Sequence, residues 1–275
     1  MISSDNRKAA IVTPIRPIKA LRPFINRIFI FKSISAINKS ENEIIPPSGQ
    51  MKLLLSYKKS QRSVIKGVAK DFKESSLAIV GQTTDEASIE CEANYSNICL
   101  EFKPFGAYKF FDFPLFEITN QVYDAPDLFK KNGHMLQEKQ GSIEDAYEKA
   151  LFIQEFLHRQ LVLLDKTETV LEFAIKEIIQ KKGRITIEKL SDTIGYTRRH
   201  VLNKFKEHIG LSPKKFARII RFQEILKMFH SGDNELDHYY DYYYDQSHYI
   251  KEFVQFTGKT PREYLAHGNR LKCLL

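Results

Sequence analysis

Residues 185–210 read ITIEKLSDTIGYTRRHVLNKFKEHIG, and this stretch decides how the C-terminal half of the chain folds. Thr186 can cap a short helix, Gly195 tolerates the positive φ of a tight turn, and Thr197 can cap the helix that begins at Arg198. Two short helices joined by a glycine-containing turn form a helix-turn-helix. The second helix of this motif can enter the major groove of DNA.

One side of this second helix carries residue types that read bases. Arginine can bond guanine through two hydrogen bonds, asparagine can read adenine, and an aliphatic side chain can touch a thymine methyl group. The predicted base readers are Arg199, Leu202, Asn203 and Lys206. The opposite side is predicted to pack inward, and it consists of Val201, Phe205 and either His208 or Ile209.

Other residues of the same region are placed to reach the DNA backbone. Phosphate contacts set affinity and register without reading the sequence. The predicted phosphate contacts are Thr197, Arg198, Lys204, Lys214 and Lys215. An ordinary solvated helix with charges at i and i+4 is the alternative explanation for these side chains.

The positive charge of the chain is concentrated in this region. The net charge is +8 over 275 residues. Residues 181–230 carry 13 Lys and Arg against 4 Asp and Glu, a net charge of +9, whereas residues 231–275 carry 5 against 7. Such a basic block favours a polyanionic partner, and we expect double-stranded DNA.

The first 135 residues show β-strand signals. Short runs of branched and aromatic residues are separated by Pro, Gly, Ser or Asn, and Ile89 and Cys91 alternate with Glu90 and Glu92 as in a half-buried strand. Many short strands with frequent turns predict a small barrel or sandwich, which could enclose a pocket for a ligand of unknown identity. The predicted strands are residues 25–31, 51–57, 63–68, 77–80, 87–91 and 98–102.

The hydrophobic period changes to that of a helix after Ser142. Ser142 and Asp145 resemble a capping box, and apolar residues recur at helical spacing up to about residue 164. A further helix is predicted for about residues 169–181, with Gly183 as its C-terminal cap. The residues predicted to share one side of the first helix are Tyr147, Leu151, Phe156, Leu157 and Leu161.

These signals predict an α+β protein with two domains. Residues 1–135 are expected to form a β-barrel or sandwich that acts as a sensor, and residues 136–166 a linking or dimerisation helix. Residues 167–275 are expected to form an all-α domain. Within it, Ser212 and Pro213 can start a long helix that separates two helix-turn-helix units.

The C-terminal sequence strongly resembles the AraC-type bacterial transcription regulators over about residues 169–267. The most specific segments are GLSPKKFARIIRF at 210–222 and DQSHYIKEFVQFTGKTPREY at 245–264. Three upstream segments resemble the β-rich, cupin-like sensory domain often attached to such regulators. They are IPPSGQMKLLLSY at 45–57, GQTTDEASIE at 81–90 and ICLEFKPFGAYKFF at 98–111.

The resemblance implies a fold with two helix-turn-helix units joined by one helix. It also implies a sequence-specific transcription regulator that responds to an effector bound by the N-terminal domain. Double-stranded DNA is the implied partner, and contact with RNA polymerase and homodimerisation are further expectations. Activation and repression both remain open, and we expect no cofactor and no enzymatic activity.

The second helix-turn-helix unit departs from the family's pattern. His238 stands where the family usually has a small alanine, and Tyr242 stands at the glycine of the turn. Overpacking typically costs about 1–3 kcal/mol, and a tyrosine held at positive φ would cost about 1–2 kcal/mol more. We therefore expect this turn to take a different shape.

The second recognition helix presents little positive charge. Its predicted outer face consists of Ser247, Ile250, Lys251 and Val254, while Asp241 and Asp245 would repel phosphate. We predict a weak positioning element, or a surface that docks protein in a non-catalytic adaptor; ordinary groove binding is the alternative. The predicted contacts of this unit are Gln246, Ser247, His248 and Lys251.

Other chemistries find little support in the sequence. The first histidine is His134, beyond the predicted strands, so a metal site in the β-domain is not expected. The chain lacks a P-loop and a nucleophile elbow. The tyrosine-rich segment 239–249 lacks the basic groove needed to stack single-stranded nucleic acid. A metal site is a further alternative, and it would use His238, Asp241, Asp245 and His248.

The cysteines and the N-terminus complete the picture. Cys91 and Cys99 could face each other across a hairpin as a redox pair, or could be two small buried side chains. Neither a run of about 18 apolar residues nor a signal peptide is evident. We therefore expect a cytoplasmic protein without a membrane partner.

Overall fold

The computed structural model describes residues 10–37, 44–129, 131–231, 243 and 245–267. Within these residues, ten β-strands come first and nine α-helices follow. The predicted α+β class, a β-barrel or sandwich followed by helices, is confirmed. Among the described residues, no helix combines the length and the apolar character needed to cross a membrane.

The strands form two antiparallel sheets. They are β1 Ala10–Ile15, β2 Ile25–Ser33, β3 Ile44–Ile45, β4 Lys52–Lys58, β5 Gln61–Ile65, β6 Val68–Phe72, β7 Leu77–Val80, β8 Ala87–Cys91, β9 Ser96–Phe102 and β10 Val122–Asp124. The first sheet has the order β1-β2-β9-β4-β7-β10, and the second has the order β3-β8-β5-β6. Residues of both sheets share one small core, so the sheets face each other as a sandwich.

Strand β9 lies in the middle of the first sheet and is buried along its whole length. Successive side chains of a strand point to opposite faces, so β9 contributes to two layers. Leu100 and Phe102 belong to the large core that includes the helices, whereas Cys99 belongs to the core between the sheets. The first sheet therefore separates a helix-covered core from the space inside the sandwich.

The predicted strand at residues 63–68 is wrong in its boundaries. Strand β5 ends at Ile65 and β6 begins at Val68. Lys66 and Gly67 both have positive φ, 51° and 75°, which is the geometry of a two-residue hairpin turn. A Lys-Gly pair between branched residues is a weak turn signal, so the pattern merged the end of one strand with the start of the next.

The predicted facing of Cys91 and Cys99 across a hairpin is also wrong. Cys91 lies on β8 in the second sheet, whereas Cys99 lies on β9 in the first. Both side chains are buried in the core between the sheets, which confirms the alternative of two small buried residues. Burial raises the pKa of the Cys99 thiol to about 12, which keeps it protonated at neutral pH.

The helices divide between two cores. They are α1 Ala125–Phe129, α2 Lys131–Gly141, α3 Ala146–Leu164, α4 Thr169–Gln180, α5 Ile187–Ile194, α6 Arg198–Ile209, α7 Pro213–Ser231, α8 Gln246–Thr257 and α9 Pro261–His267. Helix α3 packs on the first sheet, and α4 packs with the helices that follow it. The segment 165–168 connects them, and the domain boundary near residue 165 remains a prediction.

Helix α3 differs from its prediction in its cap and in its buried face. Asp145 is the N-cap and accepts hydrogen bonds from the amides of Tyr147 and Glu148, both at 2.9 Å, so Ser142 is not part of the cap. Tyr147 and Leu151 are exposed, at 53% and 48%. The buried apolar residues are Ala150, Ile153, Phe156 and Leu157. The helix carries apolar residues on two sides, and the sheet covers only one of them.

The end of α4 follows the sequence signal. Gly183 has φ 71°, and its amide donates to the Ile178 carbonyl at 2.8 Å. A Cβ atom at this position would lie 2.1 Å from the carbonyl oxygen of Ala217 on α7. Glycine is therefore required both by the backbone conformation and by the close approach of α7.

Candidate nucleic-acid interface

Helices α5 and α6 have the caps that the sequence predicts. The Thr186 hydroxyl accepts a hydrogen bond from the Lys189 amide at 3.2 Å, and the Thr197 hydroxyl accepts one from the His200 amide at 3.2 Å. Gly195 ends α5 with φ 71°. These local bonds position α6 against α5 as the second helix of a helix-turn-helix.

The two sides of α6 differ in burial. Val201, Phe205 and Ile209 are at most 3% exposed and belong to the C-terminal core. Of the two alternatives for the last inward residue, Ile209 is therefore correct. The outer side consists of Arg199, Asn203 and Lys206, which are exposed, with Leu202 half-buried beside them. The base-reading roles of these four residues stay predictions.

The predicted phosphate contacts do not form one uniform group. Thr197 and Lys214 are exposed. Arg198 is exposed but pairs with Glu188 at 2.9 Å. Lys204 pairs with Glu168 on the segment before α4, on the side that faces the protein. Ion pairs at a surface are weak, so Arg198 can exchange its partner for a phosphate at little cost.

Lys215 lies against the protein. Its ammonium group is 5.1 Å from the centre of the Phe256 ring, which is a cation–π contact. Burial and the nearby Arg218 guanidinium lower the pKa of Lys215. In this arrangement its side chain is less available to DNA than that of Lys214.

Helix α8 corresponds to the second recognition helix. Its N-cap is Asp245, whose carboxylate accepts a hydrogen bond from the His248 amide at 2.7 Å. Ile250 packs against the C-terminal core, so its predicted place on the outer face is only partly correct. The predicted contacts are exposed, and they are Gln246, Ser247, His248 and Lys251.

The predictions for the helix before α8 lie outside the described residues. They concern His238, Asp241 and Tyr242, and with them the shape of the second turn and the metal-site alternative. In the part of the chain that the structure describes, no cluster of three metal-ligating side chains is present.

A buried carboxylate fixes α8 to α7. Glu252 is 2% exposed and pairs with Arg218 and with Arg221, the latter at 3.1 Å. The Tyr243 hydroxyl also donates to it, at 2.7 Å. Burial alone would raise the pKa of the Glu252 carboxyl, but Arg221, Tyr243 and Arg218 together hold it below its ordinary value. Two arginines of the basic block are therefore engaged inside the domain.

The C-terminal end of α6 contacts the β-domain. The Thr119 hydroxyl donates to the Gly210 carbonyl at 2.6 Å. The His208 ring meets the Tyr108 ring edge to face, with centroids 5.1 Å apart. Burial lowers the pKa of His208, although Glu207 and Glu168 oppose this shift. These contacts connect the first helix-turn-helix unit directly to the sandwich.

A second set of contacts joins α7 and α8 to loops of the sandwich. Gln223 on α7 donates to the Pro47 carbonyl at 2.7 Å, and Gln255 on α8 donates to Asp85 at 3.0 Å. Gly49 packs so closely on α7 that an added Cβ would lie 3.2 Å from the Phe216 ring. The loop 46–50 therefore links the sandwich to α7, and the loop 81–86 links it to α8.

The same loops border a cavity between the two sheets. The cavity holds about 730 Å³ of empty space, including its mouth. Its walls are mainly apolar and include Phe29, Phe31, Leu54, Ile65 and Ile89. Pro46, Ser48 and Gly81 also line it, so a molecule inside the sandwich would lie next to the segments that contact α7 and α8.

Sequence reasoning missed the residues that join these parts. Glu252, Tyr108, Thr119 and Gln223 were not singled out, because their partners are distant in sequence. One signal was present for Glu252: it follows Tyr249 by three residues and precedes Phe253, which places a carboxylate beside aromatic residues on the inner side of α8.

Comparison with known families assigns both parts of the chain to existing models. Residues 13–124 match a domain of unknown function, and residues 190–267 match a helix-turn-helix domain. No curated protein matches the chain.

Solved structures provide distant likenesses. ToxT from Vibrio cholerae is 13% identical, with 87% of this chain and 97% of that chain covered and a TM-score of 0.48. The AraC-like transcriptional activator CuxR is 14% identical, with 82% and 88% covered and a TM-score of 0.30. The cupin domain of Cnp3 from Schizosaccharomyces pombe is 8% identical, with 35% and 66% covered and a TM-score of 0.29.

The family match and the geometry of α5 and α6 agree on the C-terminal part of the chain. The match begins inside α5 and ends at the last residue of α9, so it includes the whole of α6, α7 and α8. Residues 190–267 form an AraC-type helix-turn-helix domain, which supports a DNA-binding role in transcription regulation.

Proposed function

We propose that α6 reads a specific duplex sequence and that a small effector held inside the sandwich controls this binding. The observation that carries the first part is the outer side of α6. Arg199, Asn203 and Lys206 are exposed together, while the opposite side of the same helix is fixed in the core. Side chains on a rigid helix can meet base edges in a fixed register.

The effector part is supported by the position of the cavity. Its border loops accept the hydrogen bonds that Gln223 and Gln255 donate. A ligand that moves these loops would change how α7 is seated, and α7 carries both recognition helices. This is allostery only if the ligand binds the two arrangements with different affinities. Contact with RNA polymerase and homodimerisation remain predictions.

The DNA part is tested by selecting bound duplexes from a random pool with the full chain. An enriched motif is expected, and Asn203→Ala should relax it at one position, with a loss of about 1–3 kcal/mol for the preferred sequence. Lys176→Ala is the matched control, because Lys176 is exposed on α4, away from the outer side of α6. It should leave the motif unchanged.

The result against this function is salt-sensitive binding without any enriched motif. Such binding would report charge attraction alone. It would favour the adaptor function, in which the helical domain docks protein.

A further inference from the structure

The cavity inside the sandwich has a polar end that its apolar walls do not explain. Gln61 and Ser63 on β5 face Asn97 on β9, and all three line the cavity. Each is buried, with exposures of 3%, 6% and 5%. Buried amides are normally fully hydrogen-bonded, so each polar atom here requires a partner.

The Asn97 amide nitrogen has two hydrogen-bond partners. Its Nδ2 donates to the Tyr95 hydroxyl at 2.9 Å and lies 3.4 Å from Gln61 Oε1. The Tyr95 hydroxyl can donate to Ser56 Oγ, 3.0 Å away, which leaves its lone pairs for Asn97. Gln61 uses its own Nε2 to donate to Ser63 at 2.7 Å. In this arrangement Nδ2 donates towards two acceptors, the Tyr95 hydroxyl and Gln61 Oε1.

This orientation leaves an acceptor in the cavity. Asn97 Oδ1 is buried and receives no hydrogen bond from the residues that the structure describes. A buried carbonyl without a donor loses its hydration without compensation. The neighbouring walls offer rings and aliphatic chains, such as Phe31 and Ile65. The site therefore combines apolar surface with one acceptor that lacks a donor.

We propose that the cavity binds a small, mainly apolar molecule that carries a neutral hydroxyl or N–H group, and that this group donates to Asn97 Oδ1. The inference deepens the proposed function, since it rests on the cavity being the effector site. A carboxylate is excluded from this end, because it has no proton to donate and its lone pairs would face the lone pairs of Asn97.

Lys52 lies at the other end of the same cavity. It is four residues from the Asn97 position along the β4–β9 ladder, because Lys52 pairs with Glu101 and Ser56 pairs with Asn97. At about 3.4 Å per residue, the two ends are roughly 14 Å apart. A chain of about ten atoms with a terminal donor would fill this length.

The test compares two isomers, n-decanol and n-nonyl methyl ether, titrated calorimetrically into the full chain. They have equal numbers of heavy atoms and each has one oxygen, but only the alcohol has an O–H group. The alcohol is expected to bind about tenfold more tightly, since the ether leaves the Asn97 acceptor unpaired. Equal affinities, or no binding of either isomer, would overturn the proposal.

Two variants separate a direct contact from a structural effect. Asn97→Leu removes the acceptor at similar volume, so both isomers should bind with affinities within about twofold. Thr83→Ala changes another residue of the cavity lining and leaves the hydrogen bonds of Asn97, Tyr95 and Gln61 in place, so it should keep the tenfold preference. A preference that survives in Asn97→Leu contradicts the assignment. If Asn97→Leu does not fold, the two isomers on the unaltered chain decide.

The outcome is independent of DNA binding. The titration contains no duplex, so a chain that binds the alcohol but no DNA keeps the ligand site and loses the proposed function. If the alcohol binds but the affinity for duplex DNA does not change, the ligand site stands and only the proposed coupling between ligand binding and DNA binding is lost.

Discussion

The two predicted recognition helices, α6 and α8, use their charged residues in opposite ways. On α6 the cations Arg199 and Lys206 point outward, and the buried side is apolar. On α8 the outward side carries the single cation Lys251, and the buried side contains the carboxylate Glu252 paired with two arginines of α7.

This difference shows that charge in a basic segment has two separate uses. Arg218 and Arg221 count toward the positive block at residues 181–230, but they neutralise Glu252 inside the domain. Buried pairs contribute little net stability relative to an apolar core, yet breaking one is costly. The second unit is thus rigidly seated and weakly charged outside, whereas the first is apolar inside and basic outside.

The largest expected effect comes from the buried carboxylate. Glu252→Gln should lower the free energy of unfolding by about 3 kcal/mol, because it leaves two arginines without a counter-charge. Denaturant titration measures this loss. Glu207→Gln on α6 is the control, since that side chain is 54% exposed, and it should change stability by less than about 0.5 kcal/mol. Equal losses in the two variants would contradict the asymmetry.

A smaller effect is expected where α6 meets the sandwich. Gly210 has φ 84°, and an added Cβ would lie 2.9 Å from both the Leu115 carbonyl oxygen and Thr119 Oγ1. Gly210→Ala should therefore cost about 2–3 kcal/mol from backbone strain and overlap together. Gly195→Ala has a similar φ but open space, so it should cost only about 1 kcal/mol. Thermal melts compare the two variants. Equal decreases in melting temperature would show that the contact at Leu115 adds no strain.

The difference in DNA-binding free energy between variants of α6 and α8 should be similar to or smaller than these stability effects. Arg199→Ala is expected to weaken binding to the preferred duplex by about 1–3 kcal/mol and to relax its sequence preference. Lys251→Ala should cost less, reduce binding equally for all sequences, and lower the salt slope by about one unit. Binding isotherms across salt concentrations measure both. Equal losses of sequence preference would show that the second unit reads bases as the first does.

The smallest effect concerns pH at the contact between His208 and Tyr108. The pKa of His208 lies below its ordinary value of 6.5, so the unfolded chain takes up a proton first as the pH falls. Stability is therefore full above about pH 6.5 and declines below it until the folded pKa is passed. His208→Phe keeps a ring against Tyr108 but does not titrate, so its melting temperature should fall less over this range. If the melting temperatures of the two proteins change with pH in parallel, His208 is not the source of the pH dependence.

Much of the helical part could be predicted from the sequence. Thr186, Gly195 and Thr197 act through bonds to residues at most four positions away, and such signals are visible in one sequence. The inner and outer sides of α6 followed from helical geometry for the same reason. In the sandwich, six strands were predicted, whereas β1, β3, β6 and β10 were missed. The pairing of the strands was not predicted, since it joins residues far apart along the chain.

The failures have a common physical cause. Tyr147 and Leu151 have the spacing of a buried stripe, but the first sheet covers the other side of α3. Cys91 and Cys99 are near in sequence, but their strands belong to different sheets. Lys204 and Lys215 stay predicted phosphate contacts, although both side chains contact neighbouring elements. Periodicity identifies an apolar or charged side, and only the surrounding elements decide whether it is covered.

The sequence by itself determined the helix-turn-helix, because its caps, turn and basic side are local properties of residues 185–210. The tertiary structure alone decided which cations remain outside and where α6 and α7 touch the sandwich. It also decided that Asn97 presents to a cavity an acceptor that no described residue pairs with. These properties depend on contacts between residues up to 176 positions apart, as for Gln223 and Pro47. Local hydrogen bonds depend on residues that are close in the sequence, whereas burial and the pairing of charges depend on the packing of the whole chain.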